Sequence, residues 1–186
     1  MDTLTSTVSS FYQKFAKVCL LCLAFTLAPL WLNANNEKQT ISLQEFVSLI
    51  PLWEVPQGSH PTIVGDEGLA YGLFQIHKIM VDDYNRITGS KVAHSVAFDP
   101  NFSFLIAFKV LSHYSKHIRS CGEEVTINHL LFIWNGGGGA WTRVNNPIDD
   151  QKQKNLLRYK SRALPIIKNY INGKEKRRQP KERTQV

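Results

Sequence analysis

The stretch from Gly65 to His77, which reads Gly-Asp-Glu-Gly-Leu-Ala-Tyr-Gly-Leu-Phe-Gln-Ile-His, restricts the backbone more than any other part of the chain. Its three glycines fall within eight residues, and glycine tolerates both a tight turn and the close approach of another segment. Tyr71, Gln75 and His77 add groups that stack on, or hydrogen-bond to, a polar ring such as a sugar. A glycine-rich turn that leads into a short buried strand explains the glycines and the apolar residues equally well.

The N-terminal residues have the pattern of a secretory signal peptide. Lys14 and Lys17 precede an apolar run from Val18 to Leu32, which leads to a small-residue cleavage signal ending at Ala34. We therefore expect residues 1–34 to be a signal peptide and the protein to be secreted, periplasmic or held in the cell envelope. The run is shorter than the roughly 20 residues that span a bilayer, and an uncleaved N-terminal anchor is the alternative.

The chain has 186 residues, of which 43% are hydrophobic, and this is enough for one domain with a buried core. Cleavage would leave Cys121 as the only cysteine, so we expect no internal disulfide. We predict one folded, monomeric domain over residues 35–172 and a disordered basic tail over residues 173–186. The tail's candidate role is a weak electrostatic contact with an anionic surface, with a solvated tail as the alternative.

The charge is uneven, because the chain carries +7 in all and +4 of this lies from Asn172 onward. The body between signal and tail keeps only about +2 by the same count. Such a weak charge does not indicate a nucleic-acid-binding face.

Capping residues and apolar periodicity predict a mainly helical domain. Ser42 and Glu45 have capping-box spacing, and Thr126 caps a buried helix. Asp99 and the proline after it begin a long helix that ends near Ser120. Its predicted buried residues are Leu105, Phe108, Leu111 and Ile118.

Three further features complete the prediction of local structure. A short helix over residues 78–88 ends at Gly89, and a last helix opens at Asp149 or Asp150 and bends at Pro165. A loop-rich or small-sheet insertion between Val55 and Ile76 separates Glu54 from the glycine-rich stretch.

Two places combine reactive or polar groups with apolar surroundings. Glu54 is flanked by Leu52, Trp53 and Val55, and desolvation there would raise its pKa, as a general acid near neutrality requires. A helix-end carboxylate in water is the alternative. Trp134-Asn135, just before four glycines, leaves an indole N–H and an amide near open backbone, which suits a polar ligand. A flexible helix end is the alternative here.

Three motifs taken together resemble a known family. Glu54 at a helix end, Gly72-Leu73-Phe74-Gln75 and Trp134-Asn135-Gly136-Gly137 occur in the order and at the spacing of the lysozyme-like superfamily. Residues from about 41 to 170 resemble the soluble lytic transglycosylases and goose-type lysozymes. The resemblance implies a mainly α, α+β lysozyme-like fold, in which a helical domain and a small loop-rich or β insertion line a substrate cleft.

The resemblance also implies a reaction, the cleavage of the β-1,4 bond between N-acetylmuramic acid and N-acetylglucosamine in peptidoglycan glycan strands. Glu54 would protonate the glycosidic oxygen, with no metal and no cofactor. In a lytic transglycosylase the same carboxylate then acts as base while the muramyl 6-hydroxyl attacks C1 and gives a 1,6-anhydro product. In a goose-type lysozyme an aspartate that matches Asp66 helps to activate water instead.

The family comparison assigns roles to the remaining candidates. Gln75 and Asn135 would hydrogen-bond the sugar, and Tyr71 and Trp134 would line the cleft. His77 stands where the family has a second aspartate, which favours the transglycosylase over the hydrolase. The third interpretation is a catalytically inactive glycan-binding protein, since Trp134 replaces the more usual tyrosine of the family.

Overall fold

The computed structural model describes residues 41–178. The predicted signal peptide, its cleavage after Ala34 and the last eight residues of the predicted tail lie outside the described residues. Within residues 41–178, no helix is long and apolar enough to cross a membrane.

The described part of the chain is mainly helical and carries a small antiparallel sheet. The helices are α1 (Leu43–Leu49), α2 (Pro51–Glu54), α3 (Lys78–Thr88), α4 (Pro100–Ser120), α5 (Ile127–Gly136) and α6 (Gln151–Arg178). Strands β1 (Val64–Gly65), β2 (Ala70–Tyr71) and β3 (Ile76–His77) pair in that order. Val64 pairs with Tyr71, and Ala70 pairs with His77. The predicted helical domain with a small β insertion between Glu54 and α3 is confirmed.

The predicted helix starts are confirmed at the level of individual hydrogen bonds. Ser42 and Glu45 form a capping box at α1, in which each side chain accepts a hydrogen bond from the other residue's backbone N–H. Asp99 accepts hydrogen bonds from two backbone N–H groups of the first turn of α4, and Thr126 caps α5. Asp150 opens α6, where its carboxylate accepts from the backbone N–H of Gln153 at 2.7 Å.

Helix α4 forms the middle of the core and packs against α1, α3 and α5. The prediction is right for Leu111 and Ile118, which are fully buried, and wrong for Leu105, which is 36% exposed. Phe108 is only partly buried. The helix is apolar on more than one side, and the neighbouring helices cover a single stripe. That stripe consists of Ser103, Ile106, Ala107, Val110, Leu111, Ser115 and Ile118.

Helix α6 extends further than the sequence analysis predicted, because residues 173–178 are helical rather than part of a disordered tail. The extension has contacts to hold it: Lys174 forms an ion pair with Glu45, and Tyr170 donates a hydrogen bond to the same carboxylate at 3.2 Å. The helix also continues through Pro165. Pro165 and Ser161 are both exposed, so the carbonyl that loses its helical partner lies on the solvated side.

Gly72 is the glycine of the insertion that tolerates replacement least. Its φ is +74°, and a Cβ atom there would lie 2.0 Å from the backbone carbonyl oxygen of Ala97. Gly89 at the end of α3 has nearly the same φ, +73°, but open space where a Cβ would be. The two positions therefore separate the conformational cost of a side chain from the cost of a steric clash.

We expect Gly72→Ala to lower the free energy of unfolding by about 3 kcal/mol or more, because it adds a backbone clash to the strain of a positive φ. The control Gly89→Ala should cost only about 1 kcal/mol, since it meets the conformational strain alone. Urea denaturation followed by circular dichroism measures both. Equal losses in the two variants would contradict the packing of Gly72 against Ala97.

Glu45 links acid stability to the contact between α1 and α6. The hydrogen bond from Lys174, with those from Ser42, lowers the pKa of Glu45 from 4.5 to about 2. A lowered folded-state pKa contributes stability that is fully present above about 4.5 and is lost as the pH falls toward 2. We expect Glu45→Gln to be less stable than wild type at pH 7, with a gap that closes between pH 4.5 and pH 2. Thermal melts across this pH range test the prediction, and a gap that is independent of pH would refute it.

Candidate active site

Glu54 is the last residue of α2, and its carboxylate is held by two residues that are remote in the chain. Oε1 accepts a hydrogen bond from Trp134 Nε1 at 2.7 Å and another from the Tyr159 hydroxyl at 2.5 Å. Trp53 Nε1 donates in turn to the Tyr159 hydroxyl oxygen at 2.5 Å. One carboxylate oxygen therefore joins α2, α5 and α6, while Oε2 accepts no hydrogen bond from any described residue.

Burial is the largest influence on the proton affinity of Glu54. It raises the pKa above the ordinary 4.5, and the hydrogen bonds from Tyr159 and Trp134 lower the pKa by less. Arg162 also lowers it through its charge, and Asp66 adds a small increase. Burial and the neighbouring carboxylate raise the pKa of Tyr159 far above its usual range, so this phenol stays protonated and donates to Glu54. The sequence analysis predicted a raised pKa for Glu54 from its neighbours Leu52, Trp53 and Val55. The structure gives a shift in that direction.

Glu54 lines a cavity of about 300 Å³ together with four other residues that the sequence analysis selected. Those four are Gln75, His77, Trp134 and Asn135. Ile79, Met80, Gly136 and Gly137 are also part of its wall. A second cavity of about 610 Å³ shares Ile79, Met80 and Gly137 with the first. The two cavities therefore adjoin along the first turn of α3, where Ile79 is 75% exposed.

Gln75 occupies its place because Gly65 leaves room for its side chain. Its own φ is +50°, and its side-chain amide donates to the carbonyl of Gly72 at 2.8 Å. A Cβ atom at Gly65 would lie only 1.8 Å from Gln75 Oε1. The predicted role of glycine in this stretch, which is to allow close approach, thus applies at Gly65 and Gly72.

The side chain of Asp66 contacts His77 and makes no hydrogen bond with Glu54. The His77 ring nitrogen Nε2 lies 2.8 Å from Asp66 Oδ2. Asp66 has a φ of +45° in the turn between β1 and β2, and its side chain is 68% exposed. Asp66 is not among the residues that line the cavity of Glu54, whereas His77 is. The turn therefore places the second candidate carboxylate at the outer side of His77.

Tyr71 also lies apart from that cavity. Its ring stacks on His94, with centroids 3.9 Å apart, and on Phe98 at 4.6 Å. These contacts attach the sheet to the segment before α4. The ligand contact predicted for Tyr71 stays a prediction, and the stacking gives the ring a structural role in the insertion.

Tyr159 and Arg162 are the site residues that sequence reasoning missed. Tyr159 lies within the last predicted helix, and it is 3% exposed. Its contact with Glu54 spans 105 residues of sequence, so no local pattern indicates it. The guanidinium of Arg162 lies 5.5 Å from the centre of the Tyr159 ring, one helical turn away. The available sequence signal was a tyrosine at an apolar position of the helix with an arginine one turn later, which indicates a polar group in or near the core.

In residues 41–178, no group of three or more His, Cys, Asp or Glu side chains is placed to hold a metal ion. No protein-family model, no curated protein and no solved structure matches the chain. A function has to be inferred from Glu54 and the residues around it.

Replacing Tyr159 by phenylalanine tests the network around Glu54. We expect a loss of about 2 kcal/mol in the free energy of unfolding, because the buried indole of Trp53 and the carboxylate of Glu54 each lose a partner. Tyr84→Phe is the matched control, since Tyr84 is equally buried and makes no hydrogen bond through its hydroxyl to a described residue. Chemical denaturation of both variants gives the comparison. If Tyr159→Phe cost no more than Tyr84→Phe, the hydrogen bonds would contribute nothing.

Proposed function

We propose that this chain is an exported enzyme of lysozyme-like fold that cleaves the β-1,4 bond between N-acetylmuramic acid and N-acetylglucosamine in peptidoglycan. The observation that carries the proposal is a partly buried carboxylate with a raised pKa, Glu54, in the wall of a cavity that offers amide and indole groups. A carboxyl group that burial makes a weaker acid, placed beside an open cavity, is what a glycosidase needs for its general acid.

The mechanism requires Glu54 to act twice. As an acid it gives its proton to the glycosidic oxygen, and the bond between that oxygen and C1 of the muramyl sugar breaks. The carboxylate left behind is stabilised by the hydrogen bonds from Trp134 and Tyr159. As a base it then removes the proton of the muramyl 6-hydroxyl while that oxygen bonds to C1. The product is a 1,6-anhydro sugar, and Glu54 ends protonated as it began.

The position of Asp66 supports this lytic route over hydrolysis. A hydrolase that inverts configuration places its second carboxylate about 6.5–9.5 Å from the first, across the site of the attacking water. Here Asp66 is largely exposed, is paired with His77 and does not line the cavity of Glu54. An internal nucleophile, the 6-hydroxyl of the substrate itself, needs no second carboxylate.

A lysozyme-type hydrolase is the second candidate, and the pair formed by His77 and Asp66 favours it. His77 lines the cavity, and its other ring nitrogen is free to hold a water molecule while Asp66 fixes the ring. In this version Asp66 acts through His77 in activating water. The two candidates differ in their products, which makes them separable.

Substrate contacts follow from the cavity wall. Gln75 and Asn135 offer amides that can bind hydroxyl or acetamido groups, and Trp134, which donates to Glu54, lines the same cavity. Ile79 and Met80 offer apolar surface for the faces of sugar rings. The partner in this proposal is a peptidoglycan glycan strand in the cell envelope, which the predicted signal peptide would allow the enzyme to reach.

Digestion of purified peptidoglycan, followed by mass spectrometry of the released muropeptides, tests the proposal. Wild-type protein should release products lighter by one water molecule than ordinary reducing-end sugars. Glu54→Gln should release none, and Asp66→Asn should keep most of the activity. Ordinary reducing ends that disappear in Asp66→Asn would establish the hydrolase. Near-wild-type turnover by Glu54→Gln would refute both candidates, and absence of products from wild type would favour a glycan-binding protein.

The same variant has a stability signature that shows whether it is folded. A folded-state pKa above 4.5 means that Glu54 adds stability fully below pH 4.5 and loses it as the pH rises through the folded pKa. At pH 7 the carboxyl group of the unfolded chain is ionised in water, so the burial of Glu54 is a cost at this pH. We expect Glu54→Gln to be more stable than wild type at pH 7, with a smaller difference at pH 4 in thermal melts. A variant that is less stable than wild type at pH 7 would show that Glu54 is not destabilised by burial.

A further inference from the structure

Helix α6 concentrates the positive charge of the protein. Its 28 residues contain ten lysines and arginines against one glutamate, Glu175, which gives a charge of +9. The whole chain carries +7, so all other residues together carry −2. The positive charge therefore belongs to an ordered helix and not only to the end of the chain.

Five of these cations share the exposed side of the helix. With 3.6 residues per turn, Lys154, Arg158, Arg162, Lys168 and Lys176 fall within about 120° of the circumference. We call these five residues the basic face, and all of them are exposed. The opposite side of α6 is buried against the core through Leu156, Ala163, Ile167 and Ile171. Packing thus fixes the direction in which the basic face points.

The basic face is poor in acidic partners. Lys154 lies 3.4 Å from Asp149, and both side chains are highly exposed. Arg162 lies over the ring of Tyr159. Within residues 41–178, Arg158, Lys168 and Lys176 form no ion pair. Surface pairs of this kind contribute little, so most of the charge is available to an external anion.

We propose that the basic face is a docking surface for an anionic phospholipid bilayer. The face runs along a convex helix for about 33 Å, at a rise of 1.5 Å per residue. A convex ridge touches a planar array of headgroups along its whole length, whereas a flexible polymer gains most from a groove that contacts it on two sides. Each basic residue near an anionic membrane strengthens adsorption by about fivefold.

The mode of contact is adsorption and not insertion. Within the described residues, α6 has a single strongly exposed large apolar side chain. This is Leu157, which is 48% exposed. A helix that enters the interface carries a continuous apolar stripe on its free side, and here that stripe is turned to the core. The binding is thus electrostatic and should weaken with salt.

The test uses the full-length chain and two kinds of vesicle, pure phosphatidylcholine and phosphatidylcholine with about one third phosphatidylglycerol, in about 0.1 M salt. The readout is the ratio of binding to the anionic and the neutral vesicles, which cancels any apolar contribution of the N-terminal segment. We expect wild type to prefer anionic vesicles strongly. Replacing Lys154, Arg158, Lys168 and Lys176 by glutamine should lower the ratio by roughly 600-fold, at about fivefold for each of the four cations. Arg162 is kept, because it lies beside Tyr159 and Glu54.

The matched control removes four charges elsewhere, by replacing the exposed residues Lys91, Lys109, Lys116 and Arg119 with glutamine. This control should bind as wild type within about threefold, given the short range of screened charges. Equal loss of binding in both variants would overturn the proposal, because it would show an effect of net charge alone. A wild-type protein with no preference for anionic vesicles would also overturn it. Tighter binding to soluble polyphosphate than to vesicles of equal anion content would replace the membrane with an anionic polymer. Circular dichroism confirms the fold of each variant.

Discussion

One carboxylate oxygen connects the parts of the chain that form the site. Oε1 of Glu54 accepts from Trp134 on α5 and from Tyr159 on α6, and Tyr159 is itself the acceptor for Trp53 beside Glu54. These bonds lie in a largely apolar setting, where a polar group without a partner is costly. The packing of the three helices and the position of the candidate acid therefore depend on each other, and a change at Tyr159 affects both.

Two glutamates of neighbouring helices show how surroundings decide the role of a carboxylate. Glu45 and Glu54 both contact α6, yet the pKa of Glu45 falls to about 2 while that of Glu54 rises. Glu45 meets a lysine and remains partly in water, so its charge is favourable and stabilises the fold. Glu54 meets an indole and a phenol in a buried place, and desolvation outweighs the two hydrogen bonds. The first glutamate contributes stability, whereas the burial of the second costs stability at neutral pH, a compromise typical of functional sites.

Local signals predicted local features well and remote contacts poorly. The capping box at Ser42 and the helix that stops at Gly89 were readable, because caps depend on residues within one turn. The density of glycine predicted a close approach in this stretch, but not that the approaching side chain would be Gln75 at Gly65. Tyr159 was missed because its partner lies 105 residues away, and the end of α6 was missed because Lys174 is ordered by Glu45. The stacking of Tyr71 on His94 was also missed, because His94 lies outside the insertion and no local pattern links the two residues.

The proposed reaction depends on the proton of Glu54, and direct titration of its carboxyl group measures how tightly that proton is held. Labelling glutamate side chains with carbon-13 and following the carboxyl resonance from pH 3 to pH 8 gives the pKa of Glu54, with Glu54→Gln to assign the signal. We predict a midpoint above the ordinary 4.5 of a glutamate, because burial outweighs the hydrogen bonds from Tyr159 and Trp134. A midpoint at or below 4.5 would mean that Glu54 is ionised well below neutral pH, and it would contradict a general acid at this position.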